Sequence, residues 1–159
     1  MPFVLDNSVS CGWFIDNQAS DYTEAIARRL ETDQAMVPPL WELELSNVLR
    51  TACRKRRLTA QAAQHVLERL SLLPIAVDRQ PVRPSEILAL ALRFGLSSYA
   101  AAYLELALRL QLPLATLDGP LRNAALASGV GLVLIGSGRL SDVDPADLLK
   151  PSKRPKAPK

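Results

Sequence analysis

Apolar residues in this chain recur in two patterns that alternate from the N-terminus onward: helix-like spacing over longer stretches, and short unbroken runs between them. The unbroken runs predict strands at 3–6, 35–37, 74–77, 112–117 and 131–135. The spaced stretches predict helices at 22–32, with Ala25, Ile26 and Leu30 inward, and at 40–57, with Trp41, Leu45, Val48, Leu49 and Ala52 among its apolar and small positions. Further helices are predicted at 60–72, burying Ala63, Val66, Leu67 and Leu70, at 84–94, closed by Gly95, and at 121–128, closed by Gly129. The stretch 96–118 reads as one unit. Ser97 and Ser98 offer capping oxygens, the residues up to Leu110 favour a helix with Tyr99, Tyr103, Leu106 and Leu110 on one face, and Pro113 forces the change to a strand ending at Asp118.

Five strands alternating with helices argue an α/β domain, a parallel sheet of about five strands covered by helices on both faces and joined by right-handed crossovers. Strand order is not legible from one sequence. The first and fourth strands both end in an acid, Asp6 and Asp118. If they are neighbours, those carboxylates meet at the carboxyl edge of the sheet, where ligands bind in open α/β folds. Glu44 reaches in from the helix after the second strand; it shares a face with Asn47, three residues on, whereas Glu42 is rotated away from both.

Length and composition fit one domain: 159 residues, 48% apolar. No apolar run has the ~20 residues of a membrane span, and the N-terminus lacks the pattern of a secretion signal, so a cytoplasmic protein with no membrane partner is expected. Cys11 and Cys53 are too few and too far apart for a disulfide framework or a thiolate metal site. The net charge of +3 belongs to the tail: residues 151–159 carry four cations and no acid, leaving 1–150 at −1. That tail has nothing to bury and is expected to be mobile. Arg54 to Arg57 form a second basic run, either a solvated helix end suited to the helix dipole or a phosphate-contacting patch in which Arg54 and Arg56 would bind substrate.

Elimination narrows the chemistry. A single histidine, His65, denies the chain a histidine acid–base pair and a His/Cys zinc site, and neither a P-loop nor a dinucleotide fingerprint occurs. What remains is carboxylates. Anions gathered in one cleft repel each other unless a cation neutralises them, and hard oxygen ligands suit Mg²⁺ or Mn²⁺, ions that activate water and steady the charge of a phosphodiester being cut. Asp6 and Asp118 each also precede a helical segment and could serve only as N-caps, with Asn7 and Ser8 contributing turn chemistry.

The segments VLDNSV, VPPLWELELSNVL, LSSYAAAYLELA and LPLATLD, in this order and spacing, resemble the PIN-domain ribonucleases, and within them the VapC-type toxins of bacterial toxin–antitoxin pairs. The resemblance covers nearly the whole chain. It implies a PIN-like nuclease domain over 1–150, an Mg²⁺- or Mn²⁺-dependent endoribonuclease, a homodimer, and an inhibitory VapB-type antitoxin that inserts a segment near the acidic cleft. By position, Asp6, Glu44 and Asp118 match the family's first, second and fourth acids, Asp6 and Asp118 as metal ligands, with Ser8, Asn47 and Thr116 as supports. The family's Tyr-Asp-Ala-Ala-Tyr is here Tyr99-Ala100-Ala101-Ala102-Tyr103, so the third acid is replaced by Ala100. That loss implies weakened metal binding and cleavage. An inactivating change made because the active toxin poisons its host, or natural decay, would each leave this pattern; the intact remaining acids favour the former. The alternative is a non-catalytic PIN-like domain that binds RNA or a partner. A phosphorylation receiver has only Asp78 and Thr116 in its favour and lacks the acidic pair and final Lys that such a resemblance would require.

Overall fold

A computed structural model describes residues 1–135; the basic tail at 151–159 and the expected domain boundary at 150 lie outside them. Four short strands form one parallel sheet: β1 (Phe3–Leu5), β2 (Ala35–Val37), β3 (Ile75–Val77) and β4 (Leu114–Ala115), in the order β3-β2-β1-β4. The chain steps from β1 to β3 in one direction and then returns to the other side of β1, so the order reverses between β1 and β4. That reversal opens the crevice at the carboxyl edge.

About five strands are expected, and among the described residues there are four. Segment 131–135 contributes a single parallel bridge, Leu132 to Leu114, bounded by the bonds Leu114 N–H to the Gly131 carbonyl and Val133 N–H to the Leu114 carbonyl. Its pairing is short because β4 itself has only two residues, following a proline that has no N–H to give.

Seven helices among the described residues surround the sheet: α1 (Asn7–Ser10), α2 (Asp21–Arg29), α3 (Leu40–Arg54), α4 (Ala60–Ser71), α5 (Pro84–Phe94), α6 (Ser98–Leu110) and α7 (Gly119–Ala127). Their ends follow local chemistry. Ser20 and Thr23 form a capping box on α2, Thr59 caps α4, Ser97 caps α6, and α5 opens on Pro84 and closes on Gly95 at φ +64°. α3 stops three residues short of its expected end because Arg56 turns left-handed, at φ +54°, and the N–H groups of Arg57 and Leu58 both return to the Ala52 carbonyl. α2 likewise ends at Arg29 rather than 32, in a turn through Leu30. α7 begins two residues early because Asp118 caps it.

The core lies between sheet and helices: Phe3, Val4, Leu5, Leu104 and Leu114 are fully buried, and Trp41, Leu45, Leu49, Tyr103 and Leu106 nearly so. Tyr99 is a correction. Expected on the inward face of α6, it is 69% exposed, because it sits in the first turn, ahead of the buried run that starts at Ala101. Among the described residues no single helix is long and apolar enough to cross a membrane.

Candidate active site

The register of β1 on β4 pairs Leu5 with Ala115, so the next residue on each strand, Asp6 and Thr116, stand side by side at the carboxyl edge. Thr116 Oγ1 donates to Asp6 Oδ2 at 2.7 Å and Ser8 Oγ donates to the same oxygen at 2.6 Å. Both hydroxyls also accept a backbone N–H from the loop after β4, Ser8 from Leu117 and Thr116 from Asp118, each at 3.0 Å. Each hydroxyl proton therefore points at Asp6, and the loop carrying Asp118 is pinned to it.

Burial pushes the Asp6 carboxyl above its usual value; the Ser8 and Thr116 hydroxyls pull it down, and the nearby charge of Asp118 pushes it up again. Asp6 stands at the N-cap position of α1, yet its side chain caps nothing. Asp118 does act as an N-cap: its Oδ1 accepts from Leu121 N–H at 2.7 Å. Its other oxygen has no hydrogen-bond partner among the described residues.

Glu44 completes the group. It is half-buried near the start of α3, and its Oε2 accepts the Tyr103 hydroxyl of α6 at 3.2 Å. Burial raises this carboxyl to about 6, with the Tyr103 hydroxyl opposing and Asp6 adding to the rise. Glu42 points away and pairs with Arg79 at 2.8 and 2.9 Å, as the helical spacing requires. Two further groups register the same negative field. Burial, then Asp6 and Glu44, push the Cys11 thiol up to about 11, and burial, then Glu44 and Asp6, raise the Tyr103 hydroxyl. Asp6, Asp118 and Glu44 thus share one region.

Asn47 is exposed on α3 beyond Glu44, and Arg54 and Arg56 are exposed at the far end of that helix, away from the acids. Ala100 is half-buried in the first turn of α6, its N–H held by Ser97 Oγ at 3.1 Å, one turn before Tyr103. Tyr103 as the Glu44 partner is the functional contact that periodicity does not supply: the sequence places its ring inward, but the hydroxyl's partner depends on how α6 meets α3. Asp78, also at a strand end, is committed elsewhere, to Arg109 Nη1 at 3.1 Å and the Gln80 N–H at 2.9 Å.

The donor set suits a hard divalent cation in kind, since Asp6 and Asp118 each have one oxygen fixed by the protein and one without a hydrogen-bond partner among the described residues. In number it falls short. No group of three or more His, Cys, Asp or Glu side chains among the described residues is arranged to hold a metal, and the first turn of α6, which contains Ala100, carries no acid.

A parallel α/β domain with carboxylates gathered where its strand order reverses is the class that fold and site define. The PIN domain matches residues 3–126, and the chain belongs to that family, whose members are generally metal-dependent nucleases. Among solved structures it is similar to PAE2754 from Pyrobaculum aerophilum, with a TM-score of 0.60 and 21% identity over 78% of this chain and 84% of that one. At that identity the likeness speaks for the fold. No curated protein sequence matches the chain.

Proposed function

We propose that the chain is an endoribonuclease toxin of the VapC type, dependent on Mg²⁺ or Mn²⁺ and impaired here by Ala100. The observation that carries this reading is the β1–β4 register, which sets Asp6 beside the loop of Asp118 while Tyr103 holds Glu44 toward them. Asp6 and Asp118 would hold the cation, which supplies activation of water and neutralisation of charge at the phosphodiester. The chain's own work is positioning. Ser8 and Thr116 fix the Asp6 carboxylate, the α7 N-terminus fixes Asp118, and Glu44, with its carboxyl raised to about 6, can hold a proton near neutral pH and exchange it with water or a leaving oxygen.

The same reading carries a cytoplasmic protein, an inhibitory VapB-type antitoxin, and a homodimer. Leu88 and Leu92, one turn apart on α5 and 57% and 76% exposed, offer the apolar face such an association buries. The short ligand set favours one second reading, a PIN domain that binds RNA without cutting it. Incubating total RNA with this chain and with Ala100→Asp, with and without divalent cation, separates the two. Metal-dependent fragments from Ala100→Asp support the nuclease; an intact RNA profile with that variant folded and metal present refutes it.

A further inference from the structure

α3 connects the acids to a second feature. Beyond Asn47 its exposed ridge continues through Arg50 and Arg54, three and four residues apart, and the run extends through Lys55, Arg56 and Arg57 past the helix end. None of these five cations forms an ion pair among the described residues, whereas Arg28, Arg29, Arg79, Arg83 and Arg109 all do. The left-handed turn at Arg56 folds the chain back so that Arg57 and Leu58 border a cavity of about 320 Å³, completed by Phe14, Ile15, Asp16 and Asn17. Glycine is the residue that normally takes such a helix-ending turn without steric cost, so a cation there sacrifices some stability. Behind the cavity, Ile15 packs in one cluster with Cys11, just past α1, and Ala52 of α3, so its wall is continuous with the elements that carry Asp6 and Glu44. Along α3 the distance from Glu44 to Arg54 is about 15 Å.

This lining is selective in its chemistry. Phe14, Ile15 and Leu58 offer an apolar surface for the flat face of a ring, the Asp16 carboxylate can only accept hydrogen bonds, Asn17 can give or accept them, and Arg57 supplies a cation at the wall, with exposed Arg54 three residues before it at the end of α3. A nucleotide joins those three requirements. An acidic peptide brings neither a flat ring for Phe14 and Leu58 nor an amino donor for Asp16, and a neutral apolar ligand would leave the cations unused.

Building on the nuclease reading, we propose that this pocket is a subsite for one nucleotide of single-stranded RNA flanking the cut, its base on Phe14 and Leu58, its exocyclic amino group donating to Asp16, and its phosphate on Arg54 and Arg57. Cytosine, whose amino group an acid reads directly, binds better there than uracil, which has none. The test is fluorescence anisotropy of short oligocytidylate and oligouridylate strands across a salt series, with the full chain, an Arg54→Gln/Arg57→Gln double variant and Asp16→Asn, each checked for folding by circular dichroism.

The double variant binds more weakly, and its plot of log affinity against log salt flattens by roughly 0.7 for each cation removed. Asp16→Asn retains that slope and loses the preference for cytosine. Parent-like slope and base ranking in both variants would overturn the subsite, as would binding of polyglutamate in place of either RNA. The two readings fail separately. Cleavage by Ala100→Asp that neither set of changes alters refutes the subsite and leaves the nuclease; the expected binding changes without cleavage by Ala100→Asp refute the nuclease and leave the subsite.

Discussion

Glu44 is held in a place that penalises its charge, and replacing it with glutamine should make the fold less sensitive to pH. Glutamine keeps the shape and can still accept the Tyr103 hydroxyl, so the principal change is loss of the titrating group. The carboxyl is raised from 4.5 to about 6, because burial and the neighbouring Asp6 disfavour the anion. A raised acid binds its proton more tightly in the folded state than in the unfolded one. Stability is therefore unaffected by Glu44 below pH 4.5, where both states are protonated, and is lost as pH rises through the window to about 6. The full displacement corresponds to ~2 kcal/mol, which partial solvent exposure screens to about 1 kcal/mol. Urea unfolding followed by tryptophan fluorescence, on parent and Glu44→Gln at a pH on each side of the window, reads this contribution together with its coupling to Asp6, since acids outside the cluster titrate alike in both proteins. The variant gains about 1 kcal/mol relative to the parent between the lower and the higher pH. A difference that does not change with pH would refute the burial of the Glu44 carboxyl in the cleft.

Thr116→Val removes a buried hydroxyl that both holds Asp6 and receives the Asp118 N–H; it should cost ~1–3 kcal/mol in urea unfolding and raise the Asp6 carboxyl further. Gly12→Ala places a Cβ 2.6 Å from Thr23 Cγ2 and 2.8 Å from the Gln18 carbonyl oxygen, and the backbone atom cannot step aside. It should cost about 1–3 kcal/mol by the same measurement. Leu92→Lys, on an exposed position, should leave the unfolding free energy within about 0.5 kcal/mol of the parent; in sedimentation velocity it should convert a dimer to a monomer, and an unchanged dimer would remove α5 from the interface.

The parts of the fold that were legible in the sequence are those fixed by neighbours along the chain. Pro84 and Gly95 mark the ends of α5, Ser97 the start of α6, and the opposite placement of Glu42 and Glu44 on α3 follows from helical geometry alone. The meeting of Asp6 with Asp118 needed a strand order that one sequence does not encode locally; it was conditional on β1 and β4 being neighbours, and they are. α1 and the tight turns at Cys11–Trp13 and Asp16–Gln18 are not legible in the sequence, because Asn7-Ser8-Val9-Ser10 is too short to show a period and its helix is held by contacts with α2 and α3 rather than by propensity. The pocket beside Arg57 was hidden for the same reason, since two of its walls lie in those turns. For Asp118, the capping reading of the sequence holds and does not exclude the cleft reading: one oxygen accepts from the Leu121 N–H and the other has no hydrogen-bond partner among the described residues.

On the proposed function, Asp6, Asp118 and the position of Ala100 belong to one cation site that this chain leaves short of a ligand. Titrating Mn²⁺ into the parent, Ala100→Asp and Ala100→Asp/Asp118→Asn by isothermal calorimetry tests it without reference to any RNA. The parent should bind weakly and Ala100→Asp about tenfold or more tighter, as a further carboxylate ligand supplies on the order of 1.4 kcal/mol or more, and that gain should be lost when Asp118 is neutralised. Equal binding by parent and Ala100→Asp, or a gain that survives Asp118→Asn, would contradict the shared site.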